Sequence, residues 1–350
     1  MTHAVTLAAS GKRFDVREGE TVLEAAQRAG LALSYSCLAG VCGSCKATLI
    51  EGRCDYPRNP PTALSANELA HDAVLLCQAV PRSDLLIAAR EVASVEDLPR
   101  RELEVRVVAR ELLSRDVMRL ELVPVGAPLR WLPGQYVDVL LDDGRRRAFS
   151  IARAPHLGPD LELHVRRVAG GDFTNFVFDA LRAGDALRVE GPLGTFVPRE
   201  DSERPMLFVA GGAGFAPVKA LVEHFLHLHT RRSMRLYWGA RGEADFYLRE
   251  LPESWARMSR MFSFQPVVSD AAPDARGQHG VPVHEAVLAE QPQLSAFDVY
   301  MSGPPAMIDA ARHAFVDAGL PEERLYYDSF DYAPDVLGRI LSSRAGIHGL

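Results

Sequence analysis

Cys37, Cys42 and Cys45 stand in C-x4-C-x2-C spacing, and Cys77 follows alone far downstream. Four thiolates in that order can hold two irons and two bridging sulfides. Gly40 and Gly43 lie inside the loop, where they let the backbone curl tightly and aim N–H groups at the sulfurs. The competing readings are a structural zinc site and buried free cysteines. Structural zinc usually takes paired C-x2-C units, and here the fourth cysteine has no near neighbour. Cys37, Cys42, Cys45 and Cys77 are therefore the candidate metal ligands. The fifth cysteine, Cys54, reads as a small semi-buried hydrophobe.

Three further stretches could do chemistry on a nucleotide. Arg147-Ala148-Phe149-Ser150 puts a cationic fork, an aromatic and a hydroxyl at one strand end. Such a group can hold a phosphate, cover a flat ring and donate a hydrogen bond to it. Gly170-Gly171-Asp172-Phe173-Thr174-Asn175 opens an apolar helical pattern, so its N–H groups and dipole end could face a pyrophosphate. Gly211-Gly212-Ala213-Gly214-Phe215-Ala216-Pro217 follows an apolar run and precedes a helix, which is a phosphate cradle. Proline stands where the ordinary G-x-G-x-x-G loop has its third glycine. An R-x-[YF]-S tetrapeptide often arises by chance, and a G-G turn before a helix is more often only a turn. Their order along the chain is what carries information.

These residues need elements to position them. At 350 residues the chain is too long for one ordinary core, so two or three domains are expected. Its hydrophobic content of 47% is that of a soluble globular protein, and no apolar run has the ~18 residues of a membrane helix. Lys12, Arg13, Asp15 and Arg17 leave no apolar core for a secretory signal. The net charge of −7 argues against nucleic acid as a partner. An odd cysteine count with no disulfide framework points to a reducing cytoplasm.

Residues 1–91 alternate like a small sheet. Thr21-x-x-Glu24 caps the helical series Val22, Ala25, Ala26 and Ala29, and Gly30 stops it. With Lys46–Glu51, Ala73–Cys77 and Asp84–Ile87, this makes a β-grasp unit of five strands and one helix. Residues 92–101 are polar, carry Pro99 and read as a linker. Residues 102–200 hold short strands at regular spacing, as in an antiparallel barrel. Residues 201–330 alternate strand and helix, beginning with the continuous apolar run Met206–Ala210, as in a parallel sheet with a nucleotide at its carboxyl edge. Residues 331–350 form a tail with no assigned role. The fold class is thus multidomain, α+β followed by α/β.

The segment Tyr35-Ser36-Cys37 through Cys45-Lys46, with Cys77, resembles plant-type ferredoxin domains. With R-x-F-S at 147–150, G-G-x-G-x-x-P at 211–217 and Ser302-Gly303-Pro304-Pro305-Ala306-Met307, the chain resembles the ferredoxin-NAD(P) reductase superfamily with an N-terminal ferredoxin domain. Phe215–Lys219, Tyr237-Trp238-Gly239-Ala240-Arg241 and Asp328-Ser329-Phe330 resemble two branches of it. One holds the reductase components of bacterial oxygenases, for phenol hydroxylase and ring-hydroxylating dioxygenases. The other holds the reductase of CDP-6-deoxy-hexulose dehydrase.

The resemblance implies FAD, NADH and a [2Fe–2S] cluster as cofactors, and electron delivery to an acceptor protein. A nicotinamide gives two electrons as hydride, the cluster takes one at a time, and a flavin between them can do both. By the same resemblance, Arg147 holds a flavin phosphate, Phe149 lies against the flavin, and Ser150 bonds near its reactive N5. Gly171 and Thr174 sit at its phosphate end, and Ala148, His164 and Arg166 belong to the cofactor-binding set. Gly211, Gly212 and Gly214 admit the NADH pyrophosphate. Gly303, Pro304 and Pro305 face the nicotinamide, and Phe330 either covers the flavin or is a core aromatic. Ser302 replaces the cysteine the family usually places near hydride transfer, and Ala213 replaces a threonine. Arg241 beside Glu243 and Asp245 gives mixed signals on the ribose 2′ position; the resemblance favours NADH over NADPH. The expected acceptor is an oxygenase component, the alternative a nucleotide-deoxysugar dehydrase. A reading of another class is a redox sensor that holds its cofactors without turnover. A cytoplasmic monomer with no membrane partner is expected.

Overall fold

The computed structural model describes residues 2–92, 95, 98–270, 280–330, 335 and 336. The expected linker at 92–101 falls partly outside these residues, and the tail at 331–350 almost wholly so. The chain divides into two compact units, Met1–Pro99 with Gly194–Phe196, and Arg100–Leu193 with Val197–Leu350. Among the described residues no helix is long and apolar enough to cross a membrane.

The first unit is built on β1 (His3–Leu7), β2 (Arg13–Val16), α1 (Val22–Arg28), β3 (Lys46–Glu51), β4 (Cys54–Asp55), α2 (Ala66–Ala70), β5 (Ala73–Leu75), β6 (Val80–Pro81) and β7 (Leu85–Ala88). Five strands form one sheet in the order β2-β1-β7-β3-β5, with β1 and β7 parallel. The anticipated cap of α1 is present. Thr21 Oγ1 accepts from the Glu24 N–H at 3.2 Å, and Glu24 Oε2 accepts from the Thr21 N–H at 2.8 Å. The helix buries Val22, Leu23, Ala25 and Ala26 against the sheet. Sequence reading missed α2 and the β4–β6 pair. The signal for α2 was available: Ser65-x-x-Glu68 repeats the Thr21-x-x-Glu24 pattern and forms the same reciprocal cap.

The second unit opens with β8 (Arg101–Ser114), β9 (Val117–Pro124), β10 (Tyr136–Leu140), β11 (Arg146–Ser150), β12 (Leu161–Arg166), α3 (Asp172–Asp179) and β13 (Ala186–Leu193). Its six strands are antiparallel in the order β11-β10-β13-β8-β9-β12. The two edges meet at an Ile151–Leu163 bridge, where the Ala152 N–H donates to the Glu162 carbonyl at 2.7 Å. Val105, Leu120, Val137, Leu163 and Val189 fill the inside, and Phe173 and Val177 of α3 plug it.

The chain then alternates β14 (Met206–Gly211), α4 (Phe215–His227), β15 (Met234–Ala240), α5 (Glu250–Met258), β16 (Phe262–Val268), α6 (Val283–Glu290), β17 (Asp298–Gly303), α7 (Pro305–Asp317) and β18 (Leu325–Ser329). These strands are all parallel, in the order β16-β15-β14-β17-β18. Every residue of β14 is buried, as its unbroken apolar run requires in a sheet covered on both faces. The order reverses beside β14, so the loops after β14 and β17 flank one crevice at the carboxyl edge.

Candidate cofactor sites

The cysteine loop leaves β-type backbone at three consecutive bends. Leu38, Gly40 and Gly43 have φ of 59°, 79° and 81°. Only glycine adopts this region at no steric cost, so Leu38 is a strained position. The bends turn peptide N–H groups inward. The Ala39 N–H donates to Cys37 Sγ at 3.4 Å. Val41 and Cys42 N–H groups also serve the Cys37 sulfur, and Gly40 serves that of Cys77. None of the cysteines is in a disulfide, and Cys45 and Cys77 are buried.

Among the described residues no three donors converge as they would on a single metal ion. The sulfurs are instead grouped two and two. The Cys37 and Cys42 thiols interact by hydrogen bonding, as do those of Cys45 and Cys77. Across the groups, Cys42 acts electrostatically on Cys45, and Cys37 on Cys77. The hydrogen bond from Cys42, aided by the loop N–H groups, draws the Cys37 thiol down to about 6, while Cys42 is pushed well up. Two thiol pairs facing each other fit two irons with two thiolates each, and not one tetrahedral zinc.

The R-x-F-S strand is β11. Arg147 is largely covered, and its guanidinium holds the carboxylate of Asp335 at 2.7 Å. Arg145 holds the same carboxylate at 2.7 Å and Asp172, the first residue of α3, at 3.0 Å. The arginines therefore already grip an oxyanion at a helix start, the chemistry a phosphate needs there. Thr174 closes the loop before α3: its Oγ1 accepts from the Val168 N–H at 3.1 Å and donates to the Gly171 carbonyl at 3.1 Å. A Cβ on Gly171 would lie 2.6 Å from that hydroxyl oxygen. Ala148 is exposed. Phe149 is half-buried, with its ring 5.5 Å from that of Phe173.

Ser150, by contrast, is buried, and its hydroxyl donates to Asp328 Oδ2 of β18 at 3.2 Å. Two residues on, the Phe330 N–H donates to the Gly303 carbonyl at 2.9 Å. Strand β11, the end of β18 and the Gly303 loop are thus tied together. The β14 and β17 loops press on each other without room for side chains. A Cβ on Gly214 would fall 2.1 Å from the Ser302 carbonyl oxygen, and one on Gly211 2.4 Å from Met307 Sδ. Gly212, with φ of 52°, lies against the Arg166 guanidinium, 2.3 Å from where its Cβ would be. Pro304 and Pro305 start α7, where no N–H is needed. Ser302 is fully buried, and its Oγ has no hydrogen-bond partner among the described residues. An orphaned hydroxyl at the mouth of a nucleotide crevice fits a position that meets a bound group.

Arg241 and His164 part company with the rest. Arg241 is exposed at the end of β15. Its acidic neighbours are engaged elsewhere: Glu243 with Arg249, and Asp245 with the Gly242 N–H at 3.2 Å and Arg115 at 3.4 Å. The His164 side chain is wholly buried. Its Nε2 donates to Glu162 Oε1 at 2.8 Å, and its Nδ1 accepts from the Tyr247 hydroxyl at 3.1 Å. Burial holds His164 below its ordinary value. Lys219 of α4 completes the group, 3.3 Å from Glu162, 2.8 Å from Glu223 and 2.8 Å from the Ala152 carbonyl. Although burial works to raise it, Glu162 is held down to about 2 by His164 and Lys219. Burial pushes Glu223 up. This cluster joins β12 to α4 and fixes the barrel against the parallel sheet.

Residues 5–82 match the 2Fe-2S iron-sulfur cluster binding domain, 104–197 the oxidoreductase FAD-binding domain and 208–313 the oxidoreductase NAD-binding domain. A CDP-6-deoxy-L-threo-D-glycero-4-hexulose-3-dehydrase reductase of Yersinia pestis is 38% identical over 94% of this chain and 99% of its own. The chain belongs to the ferredoxin-NAD(P) reductase superfamily. The reductase component of phenol 2-monooxygenase from a Pseudomonas species is 34% identical to this reductase, over 99% of each chain. The crystal structure of the Amycolatopsis cytochrome P450 reductase superposes with a TM-score of 0.74 at 35% identity, covering 94% of this chain and 98% of that one. The reductase is therefore an iron–sulfur flavoprotein that moves electrons from a nicotinamide nucleotide through FAD and a [2Fe–2S] cluster to a partner protein.

Sequence reasoning gave no role to Asp328, Asp335 or the Glu162–Lys219 pair. Asp328 lay inside a quoted stretch, Asp328-Ser329-Phe330, but nothing local showed that it would meet Ser150.

Proposed function

We propose that this reductase takes hydride from NADH and feeds single electrons to an oxygenase component. The observation that carries the reading is the tie between Ser150, Asp328, Phe330 and Gly303, which joins the candidate flavin strand to the candidate nicotinamide loop. When bound, FAD supplies the conversion between two-electron and one-electron transfer. Arg147 grips its phosphate, Phe149 lies on the ring system, and Gly171 and Thr174 shape the phosphate end. Ser150 lies beside Asp328, and with FAD bound it would turn its one O–H proton from that carboxylate to the flavin ring nitrogen. Gly211, Gly212 and Gly214 let the β14 loop close on the coenzyme, and Gly303, Pro304 and Pro305 border its nicotinamide. Ser302 supplies a hydroxyl there, and Phe330 shields the ring from water. Cys37 and Cys42 ligate one iron, Cys45 and Cys77 the other. The protein works as a cytoplasmic monomer.

Anaerobic titration with NADH, and separately with NADPH, tests the reading by visible absorbance and EPR. Flavin bleaching with growth of a reduced [2Fe–2S] signal is expected, with NADH the better donor. Reduction of the cluster by dithionite alone would reject the reading and favour a sensor, as would failure to sustain cytochrome c reduction. The 38% identity to the Yersinia dehydrase reductase supports a second acceptor, a nucleotide-deoxysugar dehydrase. Electron delivery to purified oxygenase and dehydrase components distinguishes the two.

A further inference from the structure

Gln78 follows the last cysteine and is buried, with 4% of its surface exposed. A buried primary amide must be fully partnered or it destabilises the fold. Its Nε2 donates to the Leu38 carbonyl at 2.8 Å and lies 3.8 Å from Cys77 Sγ. Its Oε1 accepts from Asn59 Nδ2 at 3.4 Å. These partners fix which way the amide points. Turned over, it would set its oxygen against a carbonyl and a sulfur, and its nitrogen against another donor.

The same side chain shapes the loop around it. Leu38, whose carbonyl it holds, is the non-glycine residue with φ of 59° in the cysteine loop. A Cβ on Gly40 would fall 2.8 Å from Gln78 Cγ, so the packing of Gln78 adds to the φ of 79° in requiring glycine there. The Gly40 carbonyl is tied in turn to the Ala63 N–H at 3.2 Å and the Thr62 hydroxyl at 3.3 Å. Gln78 thus links both sulfur-bearing segments, the 37–45 loop and the strand end at Cys77, through a single amide.

We infer that Gln78 sets the potential of the cluster, by donating its amide N–H to the Cys77 sulfur while locking Leu38 in the left-handed turn. It is a positioning residue, and its role rests on Cys77 being an iron ligand. An N–H donor to a ligand sulfur stabilises the more negative, reduced state, so it raises the reduction potential. Removing the donor lowers it.

Two measurements test this. In wild-type reductase carrying 15N in its glutamine side-chain amides, pulsed EPR of the dithionite-reduced protein should show a 15N nucleus coupled to the cluster. The coupling should vanish in Gln78→Met, which keeps length and bulk but has no donor. The midpoint potential of Gln78→Met should fall by the equivalent of about a tenfold change in the oxidised-to-reduced ratio, ~59 mV for one electron. Gln78→Glu, ionised and without a donor, should shift the same way. A reduced-cluster signal with no amide coupling in the wild type, or an unchanged potential in either variant, overturns the inference and leaves the cluster reading intact. Absence of any reduced-cluster signal removes both.

Discussion

The Ser150 hydroxyl donates to Asp328 Oδ2 across 3.2 Å, from β11 of the antiparallel sheet to β18 of the parallel one. Both side chains are buried, so the bond is shielded from competing water. It places the hydroxyl assigned to the flavin, whose one proton would turn from Asp328 to the ring when FAD binds. Asp328→Asn keeps the shape but can turn an N–H toward Ser150 instead of an acceptor. Flavin reduction by NADH in stopped flow is expected to slow about tenfold, the effect of losing one buried hydrogen bond to a charged group. FAD and iron content should be unchanged. A wild-type rate would show that Asp328 only braces the domain contact.

Ser302→Ala separates stability from rate. The Ser302 hydroxyl is buried with no partner among the described residues, so a methyl in its place should leave cofactor-free stability equal or higher by up to about 1 kcal/mol, read as an unchanged or raised melting temperature. Flavin reduction should nonetheless slow, about tenfold if the hydroxyl meets the bound coenzyme. An unaltered reduction rate would remove Ser302 from the hydride-transfer site.

Asp335 occupies Arg147, the cation assigned to the flavin phosphate, and its neighbour Arg145. Flavin binding must then compete with a carboxylate of the chain itself. Asp335→Asn should tighten FAD binding about two- to fivefold, the size of a part-exposed ion pair. Fluorescence titration of the deflavinated protein measures this directly. Weaker binding in the variant would mean that Asp335 helps to hold the flavin.

The Glu162 cluster makes stability depend on pH in a definite direction. Glu162 is held at about 2, below the ~4.3 of an unfolded glutamate. As pH falls, the unfolded chain therefore binds this proton first. The contribution is complete above about pH 4.3 and is lost as pH drops through about 2. His164 is lowered by burial, so its share begins to be lost below the ~6.5 of a free imidazole. Both signs agree: melting temperature should decline below about pH 6.5 and more steeply below about 4.3. Glu162→Gln should abolish the lower component and cost about 1–3 kcal/mol at neutral pH, because Lys219 and His164 lose a buried carboxylate. Thermal melts from pH 7 down to about pH 2 decide it; a level profile contradicts the assignment.

The elements that hold the cofactor loops were legible because local spacing dictates them. The cysteine interval, the Thr21 cap and the apolar run into Gly211-Gly212 each declare themselves within a dozen residues. The partners of those loops were not. Asp328 meets Ser150 from the last strand, and Asp335 meets Arg147 from beyond it. His164 makes the same point about distant partners. Placed among the cofactor-binding residues by resemblance, it is enclosed by Glu162 and Tyr247, which nothing in its own strand foretells. Alternation along β12 says which residues face inward, not which charges wait there.

The grouping of the thiols also orders events in time. During synthesis the Cys37–Cys42 pair is complete as soon as residue 42 has emerged. Cys45 must wait for Cys77, which arrives only after β3, β4, α2 and β5 have been made. One half of the centre is thus available to a nascent chain, and the other is not. On the proposed ligation, a polypeptide holding both irons would already have brought β3 and β5 side by side. A chain truncated before residue 77 would lack the fourth candidate thiol and is expected to hold no complete cluster.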